Sequence, residues 1–159
     1  MDPQVEELQM TIAQRVFDLA PQEWVSAKAT SMGITCYKVM SVFHEDRAGK
    51  RICPGIDRDV DLPFSELRTE MAKLHDNGHA WYTAVFSLTP DGKFKFDFDY
   101  DHLPAFDIMP DPEDWLDEFR LYPRPELRAQ IQDRIDGRVP YEDWKLIVER
   151  LGRLQEAGK

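Results

Sequence analysis

The run from Trp81 to Tyr100 constrains the fold more than any other part of the chain. Tyr82, Ala84, Phe86 and Leu88 recur at every second position, and so do Phe94, Phe96, Phe98 and Tyr100. Between the two series, Pro90-Asp91-Gly92 supplies turn chemistry, with proline pre-setting φ and glycine open to the left-handed region. Lys93, Lys95, Asp97 and Asp99 fill the alternate positions of the second series. Period-two alternation on both sides of a tight turn predicts a β-hairpin with one apolar and one wet face. Such a face cannot stay bare, because burying a Phe-sized side chain contributes about 1.5–3 kcal/mol. The rest of the chain must cover it.

Two segments carry the period that could do so. Val5, Leu8, Ile12, Val16 and Leu19 recur at three- and four-residue steps until Pro21, which predicts an N-terminal amphipathic helix. Phe64, Leu67, Met71 and Leu74 give a second stripe over Pro63 to His75, with Asn77-Gly78 as its stop. Between the helices, Trp24 to Ser31 and Ile34 to His44 read as strands hinged at Met32-Gly33. The second is apolar on both faces, as a central strand would be. In that reading Cys36 lies inside a strand as a small buried hydrophobe. Glu45 to Asp61 reads as a long polar loop. The order helix, two strands, helix, two strands predicts an α+β fold, a mainly antiparallel sheet with helices packed on one face.

From Leu103 onward prolines punctuate the chain. Short helical pieces are expected over Glu113 to Leu121 and Glu126 to Asp136. A last helix after Pro140 carries Trp144, Ile147, Val148, Leu151 and Leu154 on one stripe. This divides the chain into an α+β domain over residues 1–122 and a C-terminal helical extension over 123–159, packed on or beside it.

Charge narrows the function classes. The chain has a formal net charge of -10 and a pI near 4.8, which disfavours nucleic acid and anionic membranes and favours a basic protein partner. The imbalance is local: residues 1–122 hold 12 basic and 23 acidic residues, whereas 123–159 hold 8 and 7. No window approaches the roughly 18 apolar residues of a membrane span. The acidic N-terminus does not resemble a secretory signal, and the two cysteines, Cys36 and Cys53, fit a reducing cytoplasm.

Catalytic and metal patterns are weak. His75 and His79 have the four-residue spacing of a helical zinc pair, yet Asn77-Gly78 should break the helix between them. Asp97-x-Asp99-x-Asp101 lacks the glycine and glutamate of a calcium loop, since His102 and Ile108 occupy those positions. No metal, cofactor or enzymatic activity is expected. Two other readings stay open. One is a small metal-dependent enzyme or sensor built on His75, His79 and Cys53, and the other an adaptor dimerising through the C-terminal helices.

The more informative feature is an acidic tract without a single Lys or Arg. It comprises Asp97, Asp99, Asp101, Asp107, Asp111, Glu113, Asp114, Asp117 and Glu118, with Trp115 and Phe119 interleaved. One reading is an ordinary solvated face with core aromatics. The other is a partner-binding surface on which the nine carboxylates steer a basic protein and Trp115 anchors it.

The segment from Trp81 through Phe94-Lys95-Phe96-Asp97-Phe98-Asp99-Tyr100-Asp101, followed by Glu113-Asp114-Trp115-Leu116-Asp117, resembles the YezG-like immunity (antitoxin) family. The leading helix ending near Pro21-Gln22-Glu23-Trp24 is similar as well, so the resemblance spans roughly residues 5–122. It implies a cytoplasmic protein that neutralises a cognate bacterial polymorphic toxin, often a nuclease, by tight binding.

Overall fold

The computed structural model describes residues 1–55, 57–140 and 143–158. Its first element, α1 (Pro3–Asp18), starts where the Asp2 carboxylate accepts the backbone N–H groups of Gln4 at 2.9 Å and Val5 at 3.2 Å. These are donors that a helix start otherwise leaves unpaired. The helix buries Val5, Leu8, Ile12 and Val16, as their spacing predicts.

Strands β1 (Trp24–Ile34) and β2 (Tyr37–Asp46) form a long antiparallel pair in which Ile34 faces Tyr37. The turn therefore falls at Thr35-Cys36, and the expected hinge at Met32-Gly33 is corrected. Gly33 stays in the ladder opposite Lys38, whose side chain lies 3.1 Å from where a Cβ would sit. The glycine thus marks a close approach within the strand and not a break. Cys36 moves with the turn and is exposed, against its expected burial.

The stretch read as loop contains β3 (Arg51–Ile52) and the first turn of α2 (Arg58–Leu74). Ile56, within that stretch, lies outside the described residues. The helix begins five residues before Pro63 because Asp57 caps it, accepting Asp59 N–H at 2.7 Å. Asp59 and Asp61 then occupy the first turn, where the helix dipole favours carboxylates. The acidity that looked like loop is the start signal of the helix.

Strands β4 (Thr83–Leu88) and β5 (Phe94–Asp99) are the predicted hairpin, with Phe86 opposite Phe96 and Leu88 opposite Phe94. The fold is α+β, with a five-stranded antiparallel sheet in the order β3-β2-β1-β4-β5. α1 and α2 cover one face. Their apolar stripes meet Ala27, Ala29, Val42, Ala84, Phe86 and Leu88 in a first core. Phe94, Phe96 and Phe98 also point there but stay half-buried, because β5 is an edge strand.

A second core lies across the sheet at one end. Strand alternation assigns Ala27 and Ala29 to the first core and Met32 and Ile34 to the second. Tyr82 also joins the second core, whereas Trp81 enters the first. This corrects the expectation that Tyr82 shares a face with Ala84. Tyr82 N–H donates at 2.8 Å to the carbonyl of Asp99, the residue that already faces Thr83, so the alternation slips there.

Leu103, Phe106 and Met109 build this second core together with α3 (Pro112–Leu121) and the C-terminal helices. The expected helix over Glu126 to Asp136 is instead α4 (Pro125–Arg128), a 3-10 turn (Ala129–Ile131) and α5 (Gln132–Ile135). α6 (Trp144–Ala157) buries Ile147 and Leu151 but leaves Leu154 at the surface. Residues 141, 142 and 159 of the expected extension lie outside the described residues. Trp115 and Phe119 share this core with Leu127, Ile131, Ile147 and Leu151, so packing is continuous across residue 122.

Candidate functional site

The acidic tract divides into residues spent on local structure and residues left to solvent. Asp97 projects from the wet face of β5, 3.3 Å from Lys95. Asp99 organises the chain leaving β5, accepting the N–H groups of Asp101 at 2.9 Å and His102 at 3.1 Å and facing His102 Nδ1 at 2.9 Å. Asp101 lies 3.1 Å from Arg124. That arginine is itself buried, donating to the Tyr100 carbonyl at 2.6 Å and to Glu126 at 2.7 Å. Asp111 precedes α3 and lies 3.9 Å from Arg134. Asp107, Glu113 and Asp114 make no ion pair among the described residues, and Asp117 faces Arg120 at 2.8 Å.

Trp115 and Glu118 are removed from the expected surface by burial, each being 0% exposed. Trp115 stacks on Phe119 with ring centres 6.2 Å apart, and its indole N–H donates to Met109 Sδ. It is a core residue and cannot anchor a partner. Glu118 forms a buried ion pair with Arg68 of α2 and accepts the Thr35 hydroxyl at 2.7 Å. The Arg68 Nε donates to the Trp81 carbonyl at 2.6 Å, and its guanidinium lies over the Tyr122 ring at 5.3 Å. One cluster thus ties α2, the β1–β2 turn, α3 and the start of the hairpin together. Burial, followed by the Glu118 charge, drives the Tyr82 hydroxyl far above its ordinary pKa, so that phenol stays neutral.

Both misplacements had a visible signal. Trp115, Glu118, Phe119 and Tyr122 recur at three- and four-residue steps, so they share one helical face. Arg68 follows Phe64 by four residues and lies on the buried stripe of α2.

Beside the ion pair, a cleft of about 340 Å³ opens between the β1–β2 turn and α2, with Ser31, Thr35, Cys36, Lys38, Thr69 and Tyr122 among its lining residues. Its cations are already engaged, Arg68 by Glu118 and Lys38 by Asp61 at 2.8 Å, and no histidine lines it. The Cys36 sulfur lies 3.7 Å from Asp117. Desolvation and then the Asp117 carboxylate raise the pKa of this thiol, which lowers its thiolate fraction and its reactivity at a given pH. In a protein whose only cysteine is Cys36, Asp117→Asn is expected to speed labelling by a disulfide reagent near neutral pH several-fold. Equal rates would show that Asp117 does not restrain the thiol.

The histidine reading meets a geometric obstacle. His75 Nδ1 accepts the N–H groups of Asn77 at 3.1 Å and His79 at 3.3 Å, so that nitrogen already serves as a helix-end cap. The ring stacks on His79 at 5.1 Å and meets Tyr100 at 4.8 Å. Burial, then the Arg124 charge and His75, lower the His79 pKa. Among the described residues no group of three or more His, Cys, Asp or Glu side chains is placed to hold a metal ion. Nor is any described helix long and apolar enough to cross a membrane.

No family model and no curated protein matches this chain. What the geometry itself offers is a fixed acidic helix. α3 is held from beneath by Trp115, Glu118 and Phe119, while Glu113, Asp114 and Asp117 occupy its outer positions. A carboxylate on a rigid helix keeps its place when a cation approaches, so little ordering entropy opposes association.

Proposed function

We propose that the protein is an immunity protein of the cytoplasm, which binds a basic toxin domain and blocks it without performing chemistry. The observation that carries this reading is the outer side of α3. There Glu113 and Asp114, with Asp107 just before the helix, lack ion-pair partners among the described residues and sit on a buried, cross-linked base. Asp97, Asp111 and Asp117 extend the field. Toxin nucleases need basic clefts to hold a phosphate backbone, and a row of fixed carboxylates can occupy such a cleft as phosphates do. The overall charge of -10 adds long-range steering toward such a partner. The resemblance of Trp81 to Asp101 to the YezG-like hairpin points to the same class of function.

The test is capture from the native cytoplasm by the tagged full chain, with Glu113→Lys/Asp114→Lys as the paired control. The expected result is a near-stoichiometric basic protein that the parent retains and inhibits. The charge-reversed variant should release it at least about tenfold more readily, as loss of close charge pairs at an interface does. Capture of the same protein equally well by both would remove α3 from the interface. Absence of any partner would remove the reading.

A further inference from the structure

β5 lies at one end of the strand order. Among the described residues β5 pairs only with β4, which leaves its outer edge open. The ladder fixes which backbone groups lie there. Thr89 N–H donates to the Lys93 carbonyl at 3.0 Å, so Thr89 and Lys93 form a hydrogen-bonded pair. In an antiparallel ladder such pairs alternate with non-hydrogen-bonded ones. Lys95 and Asp97 therefore also turn their backbone groups toward β4, and Phe94, Phe96 and Phe98 turn theirs outward. An open edge with three free donors and three free acceptors is a template for another strand.

The side chains say which strand. From Lys93 to Asp99 the order is Lys, Phe, Lys, Phe, Asp, Phe, Asp. Read backwards it keeps every phenylalanine in place and exchanges every charge for its opposite. We infer that β5 pairs antiparallel with β5 of a second copy of this chain about a two-fold axis at Phe96, joining two sheets into one. In this register Phe96 faces Phe96 of the second copy and Phe94 faces Phe98, and these are the positions whose backbone groups point outward. Lys95 faces Asp97 and Lys93 faces Asp99 in the intervening non-hydrogen-bonded pairs, where side chains approach most closely. The neighbouring two-fold registers are excluded by charge. Centring on Lys95 puts lysine against lysine, and centring on Asp97 puts aspartate against aspartate.

Exposure agrees with this reading. Lys95 and Asp97 are 71% and 65% exposed, and Phe94, Phe96 and Phe98 remain half-buried on the helix side. Charged residues on an edge ordinarily discourage pairing. Here the two signs are segregated, so pairing in a single register turns repulsion into attraction. The pairing does not depend on α3 or on a toxin, so it and the proposed function stand or fall separately.

Sedimentation velocity and native mass spectrometry of the full chain test it. The parent protein is expected to form a dimer that weakens with added salt. Lys95→Asp and Asp97→Lys each place two like-charged pairs across the axis, and each is expected to weaken the dimer about tenfold or more. Mixed together, the two variants regain opposite charges at every position and should form a one-to-one heterodimer. Both sites are exposed, so circular dichroism should show the parent fold in each. A parent that is monomeric at all concentrations, a dimer indifferent to both substitutions, or variants that fail to recombine would each overturn the pairing.

Discussion

Glu118→Ala is expected to destabilise the protein by about 3–5 kcal/mol, the usual cost of leaving one member of a buried ion pair alone. The side chain of Glu118 is 0% exposed and that of Arg68 11%, so water cannot readily replace the lost partner. The substitution also removes the acceptor of the Thr35 hydroxyl, which donates to the same carboxylate at 2.7 Å. Arg68→Ala should cost a similar amount, since it leaves a carboxylate in the interior. The two effects should not add. Replacing both residues by apolar side chains of similar volume is expected to be far milder than either single change, because desolvation of the charges offsets most of their attraction. Urea midpoints of the singles and the double measure this. Additive losses would mean that the two groups do not act as a pair.

Trp115→Ala should be comparably severe, at about 3–5 kcal/mol, through lost burial and the cavity left behind. The indole is fully buried and packs on Phe106 and Phe119 with ring centres 6.1 and 6.2 Å away. It therefore holds α3 onto the second core and with it the outer carboxylates. The chemical-denaturation midpoint should fall sharply, whereas Trp115→Phe should recover much of the loss and leave partner binding intact. A small stability loss combined with a large loss of binding would restore Trp115 to the surface as an anchor.

These two residues show where the sequence is legible and where it is not. The hairpin could be read because period two and a proline-glycine turn are strictly local signals, and both strands formed within two residues of their expected bounds. α1 could be read for the same reason. The turn between β1 and β2 could not. Gly33 looks like a break, but its missing Cβ answers the close approach of Lys38, which only the paired strand reveals. The start of α2 was hidden because Asp57, Asp59 and Asp61 are polar in composition and act as helix-start residues only in context.

At the candidate site, composition singles out an acidic tract but cannot sort its members. Glu118 and Asp117 are neighbours in sequence, yet one is buried against Arg68 and the other faces Arg120 at the surface. Helical spacing places Glu118 with Trp115 and Phe119, which suggests burial. The cation that makes its burial tolerable lies 50 residues away on α2, and no local pattern announces it. The C-terminal helices stand out as an extension by charge and proline content, and that local signal does not show what they pack against: Ile131, Ile147 and Leu151 join Trp115 and Phe119 in the core that supports α3.

The most direct measurement of the central claim is the dissociation constant of the captured complex across a salt series, for the parent and for Glu113→Lys/Asp114→Lys. Binding carried by α3 predicts that the parent affinity falls steeply with salt, and that the variant is both weaker and much less salt-dependent. A parent affinity that does not change with salt, or a variant that follows the same salt dependence, would contradict it.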